Sequence, residues 1–364
     1  MAYIQPKFVL DELLDPLVRA SADLCRLDER LARSPIQEGF VERTHFADAC
    51  ASLWVDGELV HAEELVLHDA GQDVRAPSHE LTIAREVLRA RRRLAQETGE
   101  WALTASGINA LRRSEQGETV TIQQAILRTV ENTRVPEDDG FDPLSREIAE
   151  MDALLARTEA VLRDTGLASP QAATRDPVVY DMDWNEDGRL AQWLDIVPHV
   201  QSRPAMLQAV LLLDAWNKLE VFQRQAWLGR LLVASSLKRA GFVSLLPGLN
   251  IGLKSIGREQ RTHRKAEVRL GAFLRAIQIS AEQGLKEHDR LLLAKQLLDR
   301  RLTGRRSSSR LPEVVKVVLS RPVVSTEMVA QAAQITQRAA LRLIEELNLR
   351  EVTGRGRFRA WGIL

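Results

Sequence analysis

Thr336, Gln337, Arg338 and Arg342 open the last helical pattern of the chain, "ITQRAALRLIEEL". Arginine and glutamine present paired groups that match guanine and adenine edges in a DNA major groove. Arg355, Arg357 and Arg359 follow in a short basic run, suited to phosphates or to a minor groove. Arg305, Arg306 and Arg310 come before and could add backbone contacts. No comparable set supports catalysis. The seven His are scattered, and Cys25 and Cys50, the only cysteines, have no metal-ligand spacing around them. Asp181, Asp183, Glu186 and Asp187 cluster, but carboxylates in a polar stretch read as helix caps and solvated charge before they read as a cation site. "GLNIGLKSIG" is glycine-rich without the spacing of a phosphate-binding loop. The expectation is therefore no catalytic residue, no metal and no cofactor.

The elements that must position these arginines are legible around them. "LPEVVKVVLSRP" predicts a short helix with Pro312 in its first turn and Pro322 closing it. Ser325 can cap a second helix, "TEMVAQAA", with Glu327 in the first turn. Thr336 can cap a third, running through Leu347. Ala332 and Ala340 are small where two helices joined by a short turn must approach. Met328, Val329, Ile335, Ile344 and Leu347 supply apolar contacts, the spacing of a helix-turn-helix. "LREV" and "RFRAW" are strand-like runs joined by "TGRG", where Gly354 and Gly356 permit a tight hairpin turn. Helix, helix-turn-helix and hairpin follow in the order of a winged helix.

Charge supports that use. The whole chain has 50 Lys+Arg and 50 Asp+Glu, yet Arg301–Leu364 holds 12 basic and 5 acidic residues, a net of +7. The first 300 residues then carry −7, a basic module on an acidic body. DNA is the partner expected of it. A helix-turn-helix used only for protein contact is the competing reading.

The rest reads as mainly α. Leu, Ala, Arg and Glu dominate and apolar residues recur at three and four. "ELTIAREVLRARRRLAQE" puts Leu81, Ala84, Leu88 and Leu94 on an apolar side, and its Arg89, Arg91, Arg92 and Arg93 read as a solvated face. Trp184, Trp193, Trp216 and Trp227 read as core before they read as a ligand pocket. Polar breaks after Gly166 and at "TGRRSSSRLP" divide the chain into residues 1–165, 166–302 and 311–364. No apolar run approaches the ~18–20 residues that span a bilayer, and the N-terminus lacks a signal-peptide pattern. These features predict a cytoplasmic protein with no membrane partner. Paired DNA half-sites would favour a homodimer.

Two resemblances add to this. "RPVV", Thr326, Val329-Ala330, Ala340, Ile344, Leu347 and "EVTG" resemble the winged helix that ends many bacterial Fic-family proteins. Ser52, Asp56 and Gly57 resemble the Fic Ser-x-x-x-Glu-Gly motif, which implies an inhibitory acid at Asp56. "WLGRLLVASSLKRAGFVSLL" resembles the segment that begins inside the Fic catalytic loop. That loop reads His-Pro-Phe-x-x-Gly-Asn-Gly-Arg-x-x-Arg, whereas this chain has "LEVFQRQAWLGR". Only Arg230, with Phe222 or Val221, matches, so the His base and the glycine cradle for phosphates are missing. "DMDWNEDGRLAQWL" and "FVSLLPGLNIGLKSIGREQRTHRK" resemble a second, little-characterised bacterial family, mostly plant-associated and often plasmid-borne. It joins a central domain of unknown function to a C-terminal helix-turn-helix. Together these imply a helical Fic-like body with a winged helix, acting as a transcriptional or plasmid-function regulator whose body senses a ligand or dimerises. A nucleotide-transferring or protein-modifying enzyme, and a scaffold or antitoxin-like partner, are the alternatives.

Overall fold

A computed structural model of the chain describes residues 6, 8–73, 76–112, 184–302, 310–353 and 359–363. They form a mainly helical protein with one three-stranded sheet. The cluster Asp181–Asp183 of the sequence reading lies outside the described residues, as do Arg305, Arg306 and residues 354–358. Residues 1–111 and 187–364 gather into one compact unit. The second unit, 112–186, is described only at its ends, where Arg112 pairs with Glu186 at 2.7 Å.

The body begins with α1 (Asp11–Ala32), which carries acids in its first turn and Arg30 in its last. It buries Leu13, Ala20, Leu24, Leu27 and Leu31, spaced to share one face. Helix α2 (Gln37–Asp56) stops at Gly57, whose φ of +96° suits a residue without a β-carbon. After α3 (Ala62–Asp69), the Ser78 hydroxyl accepts from Leu81 N and starts α4 (His79–Gln96). A short α5 (Gly99–Ala102) follows, and residues 105–112 are helical up to the limit of the described segment.

Beyond the gap come α6 (Glu186–Val200), α7 (Ala205–Leu219) and α8 (Ala226–Arg239). Helices α7 and α8 are buried on nearly every side, which places them at the centre of the core. The Trp216 ring meets Trp193 edge-on at 5.1 Å and Phe222 at 5.4 Å. Trp193, Trp216 and Trp227 are thus core residues, and Trp193 donates to Leu212 O at 3.0 Å. Short α9 (Leu249–Leu253) and α10 (Arg258–Arg261) lead into α11 (Ala266–Leu302), 37 residues long, which lies along α1 and α9.

The basic run of α4 is only in part a solvated face: Arg93 is exposed, but Arg91 and Arg92 are engaged inside the protein. Arg91 is fully buried and donates to Asp48 Oδ2 at 2.5 Å. Asp48 also accepts from Asn250 Nδ2 (2.8 Å) and Ile251 N (3.1 Å), so it fixes the start of α9. Arg92 bridges Glu42 and Asp69. These partners lie 23 to 50 residues away, beyond the reach of a local pattern. A further buried pair, Arg269–Asp214 at 2.7 Å, ties α11 to α7. A lone buried charge would be costly, and each of these charges has a partner and further hydrogen bonds.

The C-terminal module comprises α12 (Leu311–Ser320), β1 (Val324–Ser325), α13 (Thr326–Ala333), α14 (Gln337–Glu346), β2 (Arg350–Glu351) and β3 (Ala360–Gly362). The sheet order is β1-β3-β2, antiparallel throughout, with Val324 opposite Trp361 and Glu351 opposite Trp361 on the other side. Body residues grip this module by its carbonyls. Arg43 of α2 donates to Val318 O and Arg321 O at the end of α12. Its Nε meets Glu287 of α11 at 3.2 Å, and Glu287 binds Arg290 at 2.7 Å. Arg290 in turn donates to Ile363 O at 3.0 Å, and Arg301 donates to Leu347 O. Lys316 of α12 reaches Glu38 at 2.9 Å. Among the described residues no helix is long and apolar enough to cross a membrane.

Candidate nucleic-acid interface

The helix-turn-helix is built from two side-chain caps and a turn. Ser325 Oγ accepts from Met328 N at 3.1 Å, starting α13. Gln334 then turns the chain at φ +53°, and Ile335 N closes back on Ala330 O at 2.9 Å. Thr336, extended at φ −72° and ψ 154°, accepts from Ala339 N at 3.3 Å and starts α14. Each cap satisfies a donor that helix geometry leaves free. Ala330, Ala333, Ala340, Ile344 and Leu347 are buried between the helices. The small residue at the crossing is Ala333, not the expected Ala332, which is exposed. The left-handed Gln334 ends α13 just after Ala333 and so fixes which alanine faces inward.

Thr336 at the cap and Gln337, Arg338 and Arg342 on α14 are all exposed, and the four-residue spacing of Arg338 and Arg342 puts those two on one side. Neither Arg338 nor Arg342 has an ion-pair or hydrogen-bond partner among the described residues, so both guanidiniums are available. Arg359 is placed differently. It forms an ion pair with Glu351 across the hairpin at 2.7 Å and stacks over the Trp361 ring at 5.1 Å. The Glu351 hydrogen bond raises the Arg359 pKa, but the pair is solvent-exposed and such pairs exchange at little cost. Arg310 contacts Glu313 at 3.6 Å. Arg355 and Arg357 lie outside the described residues.

A second constellation joins residues far apart in sequence. Arg230, in α8, grips Asp56 with both nitrogens, at 2.9 Å and 2.5 Å, and donates to Ser52 Oγ at 2.9 Å. It also reaches Ser52 O at 3.3 Å, and Arg261 reaches Val55 O at 3.5 Å. Two guanidiniums thus face the carbonyl end of α2, which favours positive charge. Burial, and next the Arg230 charge, lower the Arg261 pKa. Gly57 lets α2 end directly after Asp56. The Ser52, Asp56 and Gly57 of the sequence reading therefore sit together with Arg230. The loop between α7 and α8 turns at Glu220 (φ +44°) and buries Val221 and Phe222 in the core. Among the described residues no group of His, Cys, Asp or Glu has the arrangement of a metal site.

Sequence reasoning missed the docking residues Arg43, Glu287, Arg290 and Arg301. None sits in a motif; the three arginines donate to backbone carbonyls that a sequence pattern does not mark, and Glu287 holds Arg43 and Arg290 in place.

Known proteins match these regions. Residues 178–303 match a family described as "Protein of unknown function (DUF1612)", and residues 311–364 match "HTH DNA binding domain". The chain is 48% identical over 380 residues to "Uncharacterized protein y4cF" of Sinorhizobium fredii (strain NBRC 101917 / NGR234), covering 100% of both chains. A Fic family protein from Desulfovibrio desulfuricans G20 is similar in structure, with a TM-score of 0.50 and 9% identity. That likeness covers 100% of this chain and 98% of the other, and at this identity it speaks to fold alone.

Proposed function

This chain belongs to the same family as y4cF and ends in a helix-turn-helix DNA-binding domain, and from that premise we propose that it is a site-specific DNA-binding regulator of transcription. Helix α14 enters the major groove, where Gln337, Arg338 and Arg342 meet base edges and Thr336 sets the first turn. The hairpin is the wing, with Arg355, Arg357 and Arg359 on the DNA backbone or in the minor groove. The Fic-like body serves sensing or dimerisation in the cytoplasm. It transfers no nucleotide, because Leu219–Arg230 offers no His base and no glycine cradle.

One observation carries this reading: a capped, exposed helix start with two arginines that have no partner among the described residues. Exposed guanidiniums left unpaired on a folded helix-turn-helix suit phosphates and guanine edges. Selection of genomic fragments by the purified full chain, followed by anisotropy titrations over a salt series, tests it. Arg338→Ala and Arg342→Ala should each weaken binding to the selected site by about 1–3 kcal/mol, and Arg357→Ala should weaken all sequences alike and lower the salt slope by about 1. Unchanged retention on DNA at low salt in the Arg338→Ala, Arg342→Ala and Arg357→Ala variants refutes the proposal. Robust transfer from labelled ATP, lost in Arg230→Ala, would overturn the assignment of the body.

A further inference from the structure

A cavity of ≈ 370 Å³ opens in the body between α1, α2, the segment leading into α9, and the middle of α11. Its walls are mostly apolar, with Leu24, Leu27, Phe40, Leu246 and Ile251 among them. Arg43, Glu287 and Pro322 also line it. Arg43 is a body residue that grips the helix-turn-helix module, Glu287 holds Arg43, and Pro322 belongs to the module. The cavity and the docking contact therefore share a wall.

The polar groups define what fits. Asp28 already accepts from Ser244 N at 3.0 Å and from Ser244 Oγ at 3.0 Å. Glu287 holds Arg43 and Arg290, and Arg43 holds two carbonyls. Arg43 and Glu287 thus neutralise each other, whereas Asp28 is held by neutral donors and keeps its charge, so an anionic ligand would find no free cation in this wall. Two hydroxyls differ. Thr44 Oγ1 donates to Phe40 O at 2.8 Å and Ser280 Oγ donates to Gly248 O at 2.5 Å. Their protons are committed, which leaves their lone pairs to accept from a ligand. Scaled from an apolar cavity of about 150 Å³ that holds benzene, the space suits about 15 non-hydrogen atoms.

We propose that this cavity is an effector site for a mainly apolar small molecule that carries no negative charge and bears a hydroxyl or N–H donor, and that its occupancy is coupled to the DNA-binding module through the shared Arg43–Glu287–Pro322 wall. The coupling rests on the proposed DNA binding; the site itself does not. A molecule seated beside Arg43 changes how firmly that guanidinium holds the carbonyl end of α12. Linkage makes the effect reciprocal: ligand changes DNA affinity by the same factor as DNA changes ligand affinity.

N-phenylnaphthylamine is a suitable probe, being neutral, apolar, of about the right size and carrying one N–H. Its fluorescence on the full chain should report a single site. Ala47→Phe, at an exposed lining position, should abolish that signal, and Thr44→Val should weaken it. The anionic anilinonaphthalene sulfonate should bind more weakly than the neutral dye. Saturating probe should shift DNA Kd by about five-fold or more, with the same shift in probe Kd on adding DNA. Hydrogen exchange at α12 and β3 reads the coupling without DNA and should change on adding the probe. No probe binding, or binding undiminished in Ala47→Phe, overturns the site. Probe binding that leaves both hydrogen exchange and DNA affinity unchanged overturns the coupling. Probe binding with altered exchange but no DNA binding leaves this site standing and refutes the DNA-binding proposal instead.

Discussion

Arg91→Met tests how the body holds the segment that lines its cavity. Arg91 Nη1 lies 2.5 Å from Asp48 Oδ2, and both side chains are 0% exposed. Both Arg91 terminal nitrogens also point at Pro247 O, at 3.4 Å. Burial lowers the Arg91 pKa and the Asp48 charge opposes this, so the carboxylate offsets part of the cost of burying the guanidinium. Without it, Asp48 keeps only the Asn250 amide and Ile251 N. Removing one member of a buried pair costs about 3–5 kcal/mol, chiefly for the charge left behind. Arg91→Met should lower the guanidinium unfolding midpoint, followed by circular dichroism, by the equivalent of that amount. Asp48→Asn in the same chain should cost less than the two single losses combined, by about 1–3 kcal/mol. A midpoint shift worth under about 1 kcal/mol, or strict additivity in the double variant, would refute the claim that this pair organises the core.

Three further predictions follow from single contacts. A β-carbon at Gly229 would lie 2.3 Å from the Trp216 ring, so Gly229→Ala should cost about 1–3 kcal/mol in the same unfolding assay. Burial, then the Arg91 and Arg92 charges, hold the His45 pKa down to about 2. The folded state then refuses a proton that the unfolded chain accepts below about pH 6.5, and stability should fall by about 1.2 kcal/mol between pH 7 and 5.5. His45→Gln should lose most of that dependence, and a parent stability flat over the range would count against it. Thr336→Ala removes the α14 cap and should lower stability by about 1 kcal/mol, seen as a reduced Tm.

Local chemistry explains why the helix-turn-helix was legible. Ser325 and Thr336 bond to amides three residues on, and the exposed Gln337, Arg338 and Arg342 follow from helical spacing. The Ala332 reading failed by one residue because the turn geometry at Gln334, which carries positive φ without being glycine, leaves no mark in composition. Arg91 and Arg92 of α4 were misjudged for a different reason. Whether Arg91 is solvated depends on Asp48 and Pro247, which a window around α4 does not contain. Asp56 and Arg230 are 174 residues apart, and only the family resemblance marked them as related. The grip of Arg43, Arg290 and Arg301 on carbonyl oxygens was beyond any reading of side-chain types, since every residue of the chain offers the same oxygen.

Helix α11 carries Arg269 near its start, locked to Asp214, and Arg301 near its end, locked to Leu347 O behind α14. With about 1.5 Å of rise per residue, those anchors stand roughly 48 Å apart on one rigid rod. Adding or removing a single residue between them would rotate one anchor by about 100° relative to the other. Length in this helix is therefore a matter of phase. Descendants of this chain can lengthen or shorten the rod only in near-whole turns, as a screw thread accepts only certain seats, unless both anchors are surrendered together.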